Sequence, residues 1–175
     1  IPAQKKNLKI MSIGLLIEED KPVVWRGPMI QNALTQLIEE VKWGKLDFLV
    51  VDLPPGTGDA YLAILQKLNI NHSIIVTTSQ KLALSDTKKG INLMLKFNIP
   101  ITGIVENMSF FQCENCLKAN YIFGKNGAED LAKEFNTKVI AKLPIFVETN
   151  NNLNNSAQEK LKEEIFSDLA KQLEN

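Results

Sequence analysis

Apolar runs rich in β-branched residues alternate along this chain with stretches of helical period, and that alternation restricts the fold more than any other feature. Asp47–Leu53, His72–Ser79, Ile101–Ser109 and Thr137–Leu143 read as strands, with a weaker candidate at Leu8–Ser12. The first of these is continuously apolar between its two aspartates, as a strand buried on both faces would be. Between them, Ile30, Ala33, Leu34, Leu37, Ile38 and Val41 recur at helical spacing, with Pro28 suited to a helix entry and Gly44 to its stop. Asp59–Leu68 and Leu82–Phe97 read as two further helices, and Ala128, Leu131, Ala132 and Phe135 form a fourth helical stripe. Strand–helix alternation of this kind gives βαβ units, so the expected class is α/β: a mostly parallel sheet flanked by helices. Ligands in such folds bind beyond the carboxyl ends of the strands. That directs attention to the loops after Asp52, Ser79 and Glu106.

At 175 residues one domain is expected. We expect residues 1–145 to form its main body, followed by an Asn-rich linker and a C-terminal helix within 146–175. Ser156 and Glu159 offer a capping box for that helix. Lysine plus arginine equals aspartate plus glutamate, 20 each, which argues against nucleic acid or an anionic membrane as partner. No apolar stretch is long enough to span a bilayer and no signal peptide is evident. Two cysteines without a secretion signal point to the reducing cytosol. The chain begins on Ile1 rather than Met, and we expect it to start within a longer protein.

The loop after the first apolar run, "VVDLPPGTGD" (Val50–Asp59), carries the densest chemistry. Asp52 at a strand end can hold Mg²⁺ directly or through water. Gly56 and Gly58 let backbone N–H groups approach a phosphate closely. Pro54 and Pro55 stiffen the approach, and Thr57 and Asp59 can position a water or cap the next helix. The same residue types also make an ordinary turn. A complete phosphate cradle would need G-x-x-x-x-G-K-[ST]. Only Gly44 and Gly124 precede a lysine, neither is followed by Ser or Thr at the next position, and no glycine stands five places earlier.

Cys113 and Cys116 form a C-x-x-C pair that can reach one metal centre. A structural zinc or a [4Fe–4S] cluster takes four ligands. The chain has no other cysteine and a single histidine, so a closed site requires a second chain, most simply a twofold copy. A redox-active pair, a shared zinc ion and two incidental thiols are the competing readings. Asn107, at the end of the Ile101–Ser109 run, can pair its amide with an adenine edge or serve as a turn residue.

Four blocks in order, "SIGLLIEEDKPVVWRGPMI", "VVDLPPGTGD", "GIVENMSFFQCENC" and "YIFGKNGAEDLA", closely resemble the Mrp-type (ApbC-like) iron–sulfur cluster carrier ATPases of the MinD/ParA-like deviant P-loop group. The resemblance spans residues 8–144. It implies a P-loop NTPase-like fold and a cytosolic homodimer, or a dimer with a close homologue. Such a dimer binds ATP with Mg²⁺ and delivers a [4Fe–4S] cluster, bridged between two chains, to apo iron–sulfur proteins. Asp52 then matches the Walker B acid, and Pro54–Asp59, with Pro55, Gly56, Thr57 and Asp59, matches the second switch. Asn107 matches an adenine contact, and Cys113 and Cys116 match the cluster ligands. The family's Walker A loop lies upstream of the matched region, so an ATPase complete in these residues is not expected. Glu114 replaces the family's usual proline, Asn126 stands where a glycine pair is usual, and "IFVETNNNLNN" replaces an acidic-then-arginine segment. A MinD/ParA-like positioning ATPase and a non-catalytic zinc-bridged dimerisation module are the alternatives.

Overall fold

A computed structural model of the chain describes residues 1–15, 27–53, 56, 58–113, 116, 118–146 and 156–173. They form two compact units, Ile1–Asn69 and Ile70–Asn175. The division expected at residue 145 falls inside the second.

In the first unit, β1 (Ala3–Lys5) and β2 (Leu8–Ile10) make a short antiparallel hairpin. A single 3-10 turn, Ile13–Leu15, follows. Helix α1 (Gly27–Thr35) continues into one π-helical turn, Gln36–Glu40, and packs against α2 (Asp59–Lys67). Its small core joins Leu34 to Ala63 and Ile64, with Leu53 and Leu68 against them. The Trp43 indole N–H donates to the Leu37 carbonyl, which ends the helical stretch close to the expected stop. Trp25 and the Asn-rich run at residues 149–155 lie outside the described residues.

The strand expected at Asp47–Leu53 does not form. The segment makes no ladder among the described residues, and its side chains face water as far as Asp52, Val50 at 86 % exposure, with Leu53 alone turned to the small core. The reason is physical: a strand's backbone N–H and C=O groups need a neighbour, and apolar content alone supplies none.

The second unit holds the parallel sheet. β3 (Ser73–Thr77), β4 (Ile101–Glu106) and β7 (Val139–Lys142) lie side by side in that order. Helix α3 (Lys81–Lys96) connects β3 to β4. A small antiparallel hairpin, β5 (Phe111–Gln112) with β6 (Ala119–Asn120), and helix α4 (Gly127–Glu134) connect β4 to β7. Helix α5 (Ser156–Leu173) packs on β7. Ile91 and Met94 of α3, Ile104 and Val105 of β4, and Ala128, Leu131 and Ala132 of α4 form the buried centre. β4 is the central strand and is buried over its last four residues, whereas edge strand β3 alternates and leaves Ile74 and Val76 exposed. Gly103 is what lets β7 lie so close to β4. A Cβ there would run into the Ile140 side chain and stand 2.9 Å from the Lys138 carbonyl oxygen.

The register places Thr77 opposite Glu106 and Glu106 opposite Lys142, so one row of polar residues closes the carboxyl end of all three strands. That row positions everything described next.

Candidate functional site at the carboxyl end of the sheet

The chain leaves β4 through Asn107, Met108 and Ser109 and enters the cysteine hairpin at once. Met108 holds a positive φ of 52°, which turns the backbone sharply. The Asn107 amide carbonyl accepts the Met108 N–H at 3.0 Å, and the Asn107 N–H donates to the Thr77 carbonyl at 2.7 Å. Asn107 therefore sits half-buried at the strand end, with both its backbone N–H and its amide carbonyl engaged.

The hairpin is built in rungs. Phe110 and Tyr121 meet across its base with ring centroids 6.4 Å apart, and Lys125 Nζ lies 4.2 Å over the Tyr121 ring. Phe111 pairs with Asn120 and Gln112 with Ala119. Above them the Cys113 N–H donates to the Lys118 carbonyl at 3.1 Å. The C-x-x-C thus occupies the hairpin tip, where Cys113 is half-buried, Cys116 is exposed, and neither is in a disulfide. Glu114, Asn115 and Leu117 lie outside the described residues. Among the described residues no cluster of three or more His, Cys, Asp or Glu gathers as a metal-ligand set. The described part of the tip therefore offers two thiols.

Beneath the hairpin lies a buried polar network that the sequence reading did not single out. Glu106 is only 2 % exposed. One of its oxygens accepts the Ser79 hydroxyl, and the other accepts the Ser109 hydroxyl at 2.7 Å. Ser79 Oγ in turn accepts the first amide of α4, Gly127 N–H, at 3.1 Å. Lys142 Nζ lies 3.9 Å from Glu106 and bonds Glu129. Burial pushes the Glu129 carboxyl up, but the bond from Lys142, its own backbone N–H and the charges of Lys142 and Lys133 outweigh this and hold it below its usual value. The hydrogen bond to Glu129 raises the Lys142 ammonium, against a smaller opposing effect of burial. Two buried oxygens here, Thr78 Oγ1 and Glu129 Oε2, have no hydrogen-bond partner among the described residues. An acid closing an apolar strand at Glu106 was the available signal, but its partners Ser79 and Gly127 are remote in sequence and carry no local mark.

The nucleotide candidates of the first unit are arranged differently. Asp52 is exposed in the extended stretch that forms no strand. Gly56 adopts a positive φ of 87°, with nothing among the described residues within 4 Å of where a Cβ would stand. Asp59 is the first residue of α2. Pro54, Pro55 and Thr57 lie outside the described residues. Asp52, Gly56 and Asp59 thus belong to the first unit, and Asn107, Cys113 and Cys116 to the second.

Comparison with known proteins gives a consistent picture. The family model described as ParA, NUBPL iron-transfer P-loop NTPase, matches residues 1–175. The chain is 45% identical over 148 residues to an iron–sulfur cluster carrier protein of Pseudomonas fragi, covering 85% of this chain and 52% of that protein. It is 45% identical over 148 residues to the iron–sulfur cluster transfer protein NUBPL of Dictyostelium discoideum, covering 85% and 46% respectively. A protein of Arabidopsis thaliana named as an iron–sulfur protein required for NADH dehydrogenase, mitochondrial, is 48% identical over 145 residues, 83% of this chain and 46% of that one. Among solved structures, a nucleotide-binding protein of Archaeoglobus fulgidus in complex with ADP superposes with a TM-score of 0.67 at 32% identity, over 95% of this chain and 61% of that one. The chain spans about half the length of the curated relatives it matches.

Proposed function

Because the chain belongs to the ParA-type family of iron-transfer P-loop NTPases, we propose that it is the cysteine-bearing part of an ATP-dependent iron–sulfur cluster carrier. Its cargo is a [4Fe–4S] cluster, held by Cys113 and Cys116 together with the same pair from a second copy or a close homologue. The observation that carries this reading is the hairpin tip: two thiols three positions apart, on an antiparallel stem, with no cluster of three metal-ligating residues among the described residues. Two such tips supply the four thiolates a cluster takes. A half-set of ligands on each chain also suits a carrier, because cargo must leave for an apo iron–sulfur protein.

ATP and Mg²⁺ enter as the regulating ligand. Asp52 is assigned to the metal, and the turn of Pro55, Gly56, Thr57 and Asp59 to the γ-phosphate side. The positive φ of Gly56 supports its part. Asn107 is assigned to the base, four residues before the hairpin begins. We place the protein in the cytosol, where paired thiols stay reduced. No helix among the described residues is long and apolar enough to cross a membrane.

Anaerobic reconstitution with ferrous iron and sulfide tests the assignment. A brown, oxygen-sensitive chromophore at one cluster per two chains is expected, and it is lost in Cys113→Ser/Cys116→Ser. Tight zinc retention with no chromophore would instead establish a zinc-bridged dimerisation module. Resting on the same two thiols, that reading predicts one zinc per dimer.

A further inference from the structure

The Glu106 carboxylate holds both ends of the cysteine hairpin, a role that none of the functions above assigns to it. On the entry side it accepts the Ser109 hydroxyl at 2.7 Å, and Ser109 N–H is tied to the Leu143 carbonyl at 2.8 Å. The next rung follows at once, Ile145 N–H to the Phe110 carbonyl at 2.8 Å. On the exit side it takes the Ser79 hydroxyl proton, which turns the Ser79 lone pair toward Gly127 N–H. Helix α4 has no cap of its own, since Asn126 at its N-cap makes no side-chain bond there. The strand-end serine therefore caps it across the fold. Gly127 is fitted to this contact: a Cβ would stand 2.9 Å from Ser79 Oγ and 2.9 Å from Leu84 Cδ1.

A buried carboxylate is costly unless each oxygen is satisfied. Here both oxygens are satisfied by groups that lead into and out of one loop. A glutamine of the same shape keeps one acceptor and puts an NH₂ in place of the other, so one of the two serines has to turn its hydroxyl from donor to acceptor and the carboxylate's charge is lost from both bonds.

We propose that Glu106 is a positioning residue for the Cys113–Cys116 pair: through Ser109 just before the hairpin, and through Ser79 and Gly127 where the chain beyond the hairpin enters α4, it sets the thiols in the geometry a shared metal centre needs. The proposal deepens the cluster-carrier reading and rests on it for the identity of the cargo.

Two measurements on the full chain test it. In the first, Co²⁺ alone is titrated and the thiolate-to-cobalt charge-transfer band is followed. Glu106→Gln is expected to weaken Co²⁺ binding about tenfold, the scale on which groups supporting metal ligands act. Ser109→Ala should act in the same direction and Ser109→Thr, which restores the hydroxyl, should recover most of the loss. Glu163→Gln on α5 should bind as the parent does. In the second, the Cys113–Cys116 disulfide is equilibrated with oxidised glutathione, each disulfide formed releasing two reduced glutathiones. The equilibrium constant reports how closely the fold holds the thiols together, and Glu106→Gln is expected to lower it about tenfold.

Parent-like cobalt affinity and a parent-like disulfide constant in Glu106→Gln would overturn the proposal. Should that variant not fold, Ser109→Ala decides, and parent-like values there overturn it equally. If the parent itself binds no cobalt through thiolate, the cluster-carrier reading fails on its own. The disulfide constant still decides the role of Glu106.

Discussion

Single residues set the distances between elements in this fold, and glycine does so twice. At Gly103 a methyl group would enter Ile140 and the Lys138 carbonyl, so β4 and β7 would have to separate. Gly103→Ala is expected to cost about 1–3 kcal/mol, read as a lower urea midpoint. Gly127→Ala should cost a similar amount and, unlike Gly103→Ala, should also disturb the cysteine pair, because it displaces Ser79. The Glu129–Lys142 pair predicts a pH dependence. Glu129 has a lowered value in the folded state, so its contribution is present above the unfolded carboxylate value of about 4.3 and fades as pH falls through the folded one. Lys142 has a raised value, so its contribution is full below about 10.4 and is lost as pH rises through the folded value. Glu129→Gln should therefore narrow the gap to the parent on acidification and leave it constant between those limits. Screening keeps the effect below about 1 kcal/mol. Cys113 and Cys116 were legible because spacing alone marks them. Glu106 was not, because its meaning lies in Ser79, Ser109 and Gly127, which only the folded chain brings to it.

At the scale of elements, the helices were legible and the strands less so, for one reason. A helix closes its hydrogen bonds locally, so the period of Leu34, Leu37 and Ile38, or of Ala128, Leu131 and Ala132, suffices to locate it. A strand borrows its bonds from a neighbour. The less apolar sequence, ITGIVE, therefore gave β4, flanked on both sides, while the more apolar DFLVVDL gave the unpaired stretch 47–53. The two-residue strands β5 and β6 have too little pattern to read, and they matter most because they carry the thiols. The exposed apolar face of Phe48, Leu49 and Val50 has a measurable consequence. Val50→Lys is expected to lower binding of a hydrophobic dye and slow aggregation, while stability changes by less than about 0.5 kcal/mol. A large loss of stability would mean that Val50 is packed in solution.

For the whole molecule, α/β class and parallel sheet followed from alternation alone, and the match of all 175 residues to one family agrees with the resemblance carried by four short blocks. The split into Ile1–Asn69 and Ile70–Asn175 had no counterpart in the sequence, since the division lies between two apolar runs of ordinary composition. These residues hold no G-K-[ST] cradle, and the lysine and backbone amides of that loop grip the phosphates in P-loop enzymes. ATP turnover by the 175-residue chain is therefore expected at background level, unchanged in Asp52→Asn; robust turnover would require a different phosphate grip and would sink the assignment of Asp52. The doubly anchored hairpin carries one more implication. With its approaches tied to the end of the sheet, the hairpin takes its thiol geometry from the sheet, while residues added at the tip lengthen the loop without adding to the core. Lengthening the tip adds only about 0.6 kcal/mol of closure cost per doubling. The tip is thus a socket: a place where this scaffold can exchange one chemistry for another, in evolution or by design, without being refolded around it.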